Sequence, residues 1–208
     1  MLTKKQIDIL NVFREDIFRE LTFKEIKQKS KQKSNNISLL ALNEFKRLNL
    51  VIPKKIADVT AYSLNLNNNL TLSYLNIINE TIIFNNKTIP KKIMQELQDR
   101  ISGFSDFFML LIFGSYAKGS ENKKSDLDIA LIIESEESKR EMAPYIETIK
   151  RREIMKIDYY IFTEKEFLEM LNNENQNVGK EIYRANLIYY GAIQYYKMIK
   201  RLKHEQNL

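Results

Sequence analysis

The sequence predicts an α/β (α+β) fold in which a short mixed sheet is flanked by helices and preceded by a small, separate domain. Three observations lead to this prediction. Two short apolar runs, residues 107–113 and 127–133, indicate strands on either side of a glycine-containing turn. A third apolar and aromatic run, residues 153–162, indicates another strand in the same sheet. Residues 1–48, by contrast, carry apolar side chains at helical spacing.

The amino-terminal region begins with three predicted helices. Thr3 with Gln6, and Thr22 with Glu25, have the spacing of capping boxes, which start helices. A third helix is expected at about residues 37–48. Its predicted apolar stripe consists of Leu39, Leu42, Phe45 and Leu48. The exposed start of this helix is expected to offer Asn35, Asn36 and Ser38. Two short strands, at 50–52 and 61–64, are expected to follow, with a turn at 53–55.

This order of elements resembles a winged helix-turn-helix domain, which we place at residues 1–68. The resemblance implies that the third helix would lie in a DNA major groove, while Lys54 and Lys55 would contact the phosphate backbone. Lysines between residues 24 and 33 would add phosphate contacts, so residues 24–55 are the candidate DNA-binding surface. The start of the third helix has no arginine to bind guanine. Protein docking or homodimer formation by this domain therefore stays open.

The charge of the chain is concentrated in the same region. Residues 1–70 carry 13 Lys and Arg against 7 Asp and Glu, whereas residues 71–208 carry 20 of each. The amino-terminal third thus accounts for the whole formal net charge of +6. A basic surface of this kind is typical of nucleic-acid contact, although lysine-rich faces are also often only solvated.

The remaining chain is predicted to contain connector helices and then the main domain. A polar break at 65–69 ends the first domain, and connector helices are expected over residues 69–102. The main domain, 103–208, should contain helices at 138–151 and at Thr163, where Glu166 completes a capping box. A single long carboxy-terminal helix is expected over residues 178–202.

The turn between the first two strands carries the most informative motif. Gly114-Ser115 is followed, after ten residues, by Asp126 and Asp128. Side chains alternate along a strand, so the two carboxylates should point to the same side. Oxygen ligands favour Mg²⁺ or Mn²⁺. Gly114 permits close backbone approach, and Ser115 is expected to cap a short helix at 116–118 whose start attracts anions. Lys118 could neutralise a phosphate.

This motif resembles the signature of the polymerase-beta-like nucleotidyltransferases, in particular the minimal members of that family. The resemblance implies a third carboxylate on a later strand, for which Asp158 is the candidate. It implies that Asp126 and Asp128 hold two Mg²⁺ or Mn²⁺ ions, and that Asp158 holds one of them and helps to deprotonate the attacking hydroxyl. Gly114 and Ser115, with Lys118, would bind the triphosphate of an NTP, with ATP as the expected substrate.

Alternatives without catalysis remain for the same residues. Asp126 could end the polar loop before a strand, and Asp128 could be solvated at a sheet edge. Asp158 could pair with Arg151, Arg152 or Lys156. Lys118 could be an ordinary surface lysine.

Composition excludes several kinds of chemistry. The chain has no cysteine, which excludes disulfides and thiolate nucleophiles, and its one histidine, His204, lies near the end. No apolar run approaches the roughly 20 residues needed to cross a bilayer, and the first residues do not resemble a secretion signal. We therefore expect a cytoplasmic protein without a membrane partner.

Transfer of one nucleotide onto a hydroxyl is the expected reaction. The candidate acceptors are a protein side chain, a small molecule and an RNA end. The competing hypothesis is a DNA-binding regulator, or antitoxin-like protein, whose nucleotidyltransferase domain senses nucleotide without turning it over. A toxin-type enzyme that acts on tRNA is a third hypothesis, although no sequence feature selects tRNA.

Overall fold

The structure is a computed structural model that describes residues 1–205, with side chains through Leu202. The side chain of His204 therefore lies outside the described residues. The chain divides into two compact units, the first being Met1–Ile78 and the second beginning at Asn79. This division falls within a helix, whereas the sequence predicts that the first domain ends at residue 68.

Short helices and a small antiparallel sheet make up the first unit. Its helices are α1 (Lys4–Leu10), continued by a 3₁₀ turn (Asn11–Glu15), α2 (Phe23–Lys29) and α3 (Asn35–Arg47). Its strands are β1 (Leu21–Thr22), β2 (Val51–Ile56) and β3 (Val59–Leu64), in the order β1-β3-β2. The capping boxes predicted at Thr3 and Thr22 are both present, and each satisfies backbone N–H groups that a helix start leaves free.

The turn between β2 and β3 does not lie at residues 53–55, where the sequence predicts it. Pro53 lies inside β2, opposite Tyr62, and the chain reverses at Ala57 and Asp58 instead. Because β2 is an edge strand, it tolerates a residue that lacks an N–H group. The prediction of a turn at residues 53–55 was therefore wrong.

The apolar stripe of α3 was also predicted partly wrongly. Leu39 is 49% exposed and Leu40 57% exposed, whereas Ser38 is fully buried. Leu42 and Phe45 are buried as predicted, and the buried face of the helix also includes Ala41. Ser38 can be buried because its hydroxyl donates to the carbonyl oxygen of Ser34, at 3.3 Å.

The second unit contains the mixed sheet that the sequence predicted, flanked by helices. Its helices are α4 (Asn69–Asn85, shared with the first unit), α5 (Lys91–Ser102), α6 (Gly114–Lys118), α7 (Glu136–Arg152), α8 (Glu164–Asn172), α9 (Val178–Arg184) and α10 (Ala192–Glu205). Its strands are β4 (Phe108–Ile112), β5 (Leu127–Ile133), β6 (Ile157–Thr163) and β7 (Leu187–Tyr190), in the order β6-β5-β4-β7. The β5–β6 pair is parallel, and the other pairs are antiparallel.

The core of this unit lies between the sheet and helices α5 and α7. Leu110 and Ile129 of the sheet are buried together with Leu97 of α5 and Ile146 of α7. Helices α8 and α10 also contact the sheet, through β6 and β4 respectively. Packing of this kind fixes the strands and hence the positions of residues at their ends.

The carboxy-terminal segment is not the single long helix predicted over residues 178–202. It forms α9, then strand β7, then α10. The strand forms because the free edge of β4 pairs with it, with Leu111 opposite Ile188. The buried side-chain amide of Asn79 satisfies the other edge, since its nitrogen donates to the carbonyl of Ile188 and its oxygen accepts from the Ile188 N–H.

None of the helices within the described residues is both long enough and apolar enough to cross a membrane.

Candidate active site

The three predicted aspartates come together at one end of the β5–β6 pair. Asp128 of β5 and Asp158 of β6 are direct partners in the parallel ladder, and Asp126 lies just before β5. Because neighbouring residues of a strand alternate faces, Asp126 and Asp128 lie on the same side. All three residues are partly exposed. The site is therefore accessible to a ligand.

Lys156 lies between two of these carboxylates. Its Nζ donates hydrogen bonds to Oδ2 of Asp126 and, at 3.0 Å, to Oδ2 of Asp158. These two hydrogen bonds raise the pKa of Lys156 above its usual range. Lys150 approaches the same cluster more loosely, with its Nζ 3.8 Å from Oδ1 of Asp158.

The ion pair foreseen for Asp158 is thus made with Lys156. The two arginines that the sequence also offered have other partners. Arg152 pairs with Glu96 and Glu153, and Arg151 lies near Glu147.

Asp128 is electrostatically coupled to the other acids. Burial raises the pKa of its carboxyl, and the charges of Asp158, Asp126 and Glu181 raise it further, while Lys156 opposes them. A cation that approaches such a carboxyl stabilises its ionised form. The cluster therefore has the electrostatics of a cation-binding site.

The turn before α6 packs directly against Asp128. Gly114 has φ +64°, and a Cβ atom at this residue would lie 2.0 Å from Oδ2 of Asp128. The backbone N–H of Phe113 donates to the carbonyl of Asp128, at 3.0 Å. Only glycine fits here, because both the left-handed backbone and the space beside the carboxylate require it.

Ser115 does not cap the short helix as predicted. Helix α6 begins at Gly114, its N-cap position is Phe113, and no side chain makes a capping hydrogen bond there. The helix starts earlier than expected because β4 leads almost directly into it. Ser115 therefore lies in the first turn of α6, close to the helix start that is predicted to attract anions.

Lys118 and Glu181 form an ion pair that the sequence did not reveal. Their side chains meet at 3.2 Å, and each is 51% exposed. They line a cavity of about 510 Å³ together with Gln176 and Arg184. Glu181 lies on α9, far from the motif in sequence, and no local pattern marks it. Only its charge coupling to Asp128 ties it to the acidic cluster.

The donor set suits a hard divalent cation, because it consists of carboxylate oxygens. Among the residues that the structure describes, no three acidic or histidine side chains are arranged to hold a metal ion in their present positions. The ammonium group of Lys156 already bridges Asp126 and Asp158. The donor atoms of the carboxylates thus suit a divalent cation, whereas in the present positions an ammonium group lies between Asp126 and Asp158.

A family comparison agrees with the motif. Residues 91–188 match the family model described as "Polymerase beta, Nucleotidyltransferase". This segment runs from α5 into β7 and includes Gly114, the three aspartates and Glu181. No curated protein matches the chain. The resemblance inferred from the Gly-Ser turn and the aspartate pair is confirmed, and residues 91–188 form a domain of the polymerase beta nucleotidyltransferase family.

Proposed function

We propose that the protein transfers a nucleoside monophosphate from an NTP, with ATP as the expected donor, to a hydroxyl acceptor and releases pyrophosphate. One observation supports this proposal above others. Asp128 and Asp158 are register partners on parallel strands. Asp126 and Asp158 both accept a hydrogen bond from the ammonium group of Lys156. Convergent carboxylates of this kind suit phosphoryl transfer, in which negative charge must be neutralised.

Two divalent cations, Mg²⁺ or Mn²⁺, would supply that neutralisation when bound. Asp126 and Asp128 would hold both, and Asp158 would hold one of them. Asp158 would also accept the proton of the attacking hydroxyl. Its partial exposure leaves room for an acceptor to approach.

The triphosphate would be held by the turn that starts α6. Gly114 lets the backbone come close, and Ser115 adds a hydroxyl and an N–H group in the first turn. Lys118 would contribute its charge. Its present pair with Glu181 is half exposed, and such pairs contribute little, so a phosphate can replace Glu181 as its partner.

The acceptor classes are a protein side chain, a small molecule and an RNA end. We place the reaction in the cytoplasm, the compartment that the sequence predicts. A homodimer is compatible with the proposal but is not required by it.

The test is incubation of the full chain with each α-labelled NTP, Mg²⁺ and cell extract, beside the Asp128→Ala variant. Label transfer and pyrophosphate release by the wild type, with loss of both in the variant, are the expected results. Tight NTP binding without label transfer or pyrophosphate release would overturn the proposal and favour a nucleotide sensor.

A second candidate function has its own observation. The first unit has the helix and strand order of a winged helix-turn-helix domain, which we propose for residues 1–68. An open surface pocket of about 440 Å³ beside α2 is lined by Lys24 and Lys27 of that helix and by Lys31, which follows it. This arrangement favours a DNA-binding regulator, or antitoxin-like protein, that senses nucleotide through its second unit. The exposed Leu39 and Leu40 of α3 argue against a groove-reading helix and are better suited to a protein partner.

Duplex DNA binding tests this second candidate. A salt-dependent affinity of the full chain for duplex DNA is expected if it is correct. Absence of binding at low salt would exclude it.

A further inference from the structure

Lys156 is the only side chain among the described residues that is hydrogen-bonded to two acids of the cluster at once. Its side chain is 62% exposed, so no packing holds it in place. Its backbone carbonyl accepts a hydrogen bond from the N–H of Leu127, as part of the strand pairing. The strand therefore needs the backbone of Lys156, but it does not need its ammonium group.

The charges around the cluster show why a cation is held there. Asp126, Asp128 and Asp158 converge, and Glu181 adds a fourth negative charge. Lys150 reaches only Asp158, at 3.8 Å, and it also lies 5.4 Å from the centre of the Tyr159 ring. Without Lys156, Asp126 and Asp158 would repel one another across the place where the ammonium now lies.

We propose that Lys156 is a displaceable counter-cation of the candidate metal site. It holds Asp126 and Asp158 together in the metal-free protein, and it turns away when a divalent cation takes the same oxygens. Its four-carbon chain permits this motion without a change of the backbone. The proposal rests on the proposed function only in the assumption that these carboxylates bind a divalent cation.

A competing charge lowers the affinity of a site for its ion. A divalent cation must displace the ammonium group of Lys156 and then remain near its positive charge. Lys156 would thus set the metal concentration at which the site fills. A lysine that only oriented the carboxylates would act in the opposite direction, because its loss would weaken metal binding. The sign of the effect separates the two roles.

The experiment is calorimetric titration of the full chain with Mn²⁺ and Mg²⁺, without nucleotide. The Lys156→Met variant should bind Mn²⁺ about tenfold more tightly than the wild type, since it lacks the competing charge. The matched control is Lys150→Met, which removes a lysine near Asp158 that bridges nothing, and its affinity should change by less than about threefold. Lys156→Arg, which retains the charge, should remain close to the wild type.

Thermal unfolding supplies a second measurement. Lys156→Met should have a lower Tm than the wild type in the presence of chelator and a larger rise in Tm when Mn²⁺ is added. Lys156→Gln serves the same purpose if the methionine variant does not fold.

Weaker or unchanged Mn²⁺ affinity in Lys156→Met overturns the proposal, and so does the absence of cation binding in both the variant and the wild type. These outcomes do not depend on nucleotide transfer. Tighter binding in the variant, with no label transfer by the wild type, would support the counter-cation and overturn only the proposed function.

Discussion

The two units share the same kind of helix cap but differ in how their charged side chains are arranged. Each contains a Thr-x-x-Glu capping box, at Thr22 in the first unit and at Thr163 in the second. The first unit has lysines spread along α2, each in contact with solvent or a single partner. In the second unit Asp126, just before β5, and Asp158 of β6 both accept hydrogen bonds from Lys156. Local patterns are thus shared, and the difference lies in the pairing of distant segments.

The sheets explain this difference. In the first unit β2 and β3 are antiparallel and are joined by a tight turn, so the main strand pair is local in sequence. In the second unit β5 and β6 are parallel, and α7 makes the crossover between them. A parallel pair requires a long connection, and it places the starts of both strands at the same end. Asp128 and Asp158 meet for this reason.

The largest expected effect is that of Asp158→Asn. Transfer should fall about a thousandfold or more, because the variant loses the proposed proton acceptor and a metal ligand. NTP binding and DNA binding should change little, since neither is assigned to this side chain. Pyrophosphate release measures transfer, and equilibrium titration measures NTP binding and DNA binding. Asp106→Asn, at an exposed residue before β4, is the control and should keep full activity. Retention of more than a tenth of the activity by Asp158→Asn would remove this residue from the mechanism.

Gly114→Ala should have the next largest effect, and Gly119→Ala is its matched control. Both glycines have positive φ, +64° and +65°, but a Cβ at Gly119 meets nothing within 4 Å. Backbone strain alone should cost Gly119→Ala about 1 kcal/mol of unfolding free energy. Gly114→Ala should cost about 3 kcal/mol, because its Cβ also collides with Asp128. Urea unfolding measures both variants. Equal costs would show that the contact between the turn and Asp128 has no energetic weight.

A triple change on and just after α2 tests whether the first unit has a separate role. Replacement of Lys24, Lys27 and Lys31 by Gln should lower the affinity for duplex DNA about tenfold or more and should flatten its salt dependence. Transfer activity should stay unchanged. The double replacement of Lys123 and Lys124 by Gln, in the loop before β5, is the control for a general loss of positive charge. Equal losses in both variants would mean that DNA contact is not a property of these three lysines.

The smallest expected effect concerns stability and pH. Since burial raises the pKa of Asp128, the folded protein favours the protonated carboxyl. The stability that this preference provides is present at low pH and is lost as the pH rises through the raised pKa. Asp128→Asn should therefore be slightly more stable than the wild type near neutral pH in chelator, by less than about 1 kcal/mol. The difference should disappear in acid. Urea midpoints at several pH values measure it, and a gain that persists in acid would contradict the assigned cause.

Much of the second unit could be predicted from its sequence because its signals are strong and local. The apolar run that became β5 has the predicted bounds, 127–133, and the capping box at Thr163 starts α8 as expected. Strand β7 was missed because its four residues resemble helix in an aromatic-rich context, and only the free edge of β4 makes them a strand. Leu39 was assigned to the core for a related reason, since helical spacing predicts a face but not which neighbours cover it.

By itself, the sequence determined the Gly-Ser turn, the spacing of Asp126 and Asp128, and the concentration of positive charge in the first third of the chain. Each of these depends on residues that are close together along the chain. The tertiary structure alone decided that Lys156, rather than an arginine, joins Asp126 to Asp158, and that Glu181 lies near enough to influence Asp128. The physical reason is that distances between side chains from separate segments depend on strand register and helix packing, which no short sequence pattern encodes.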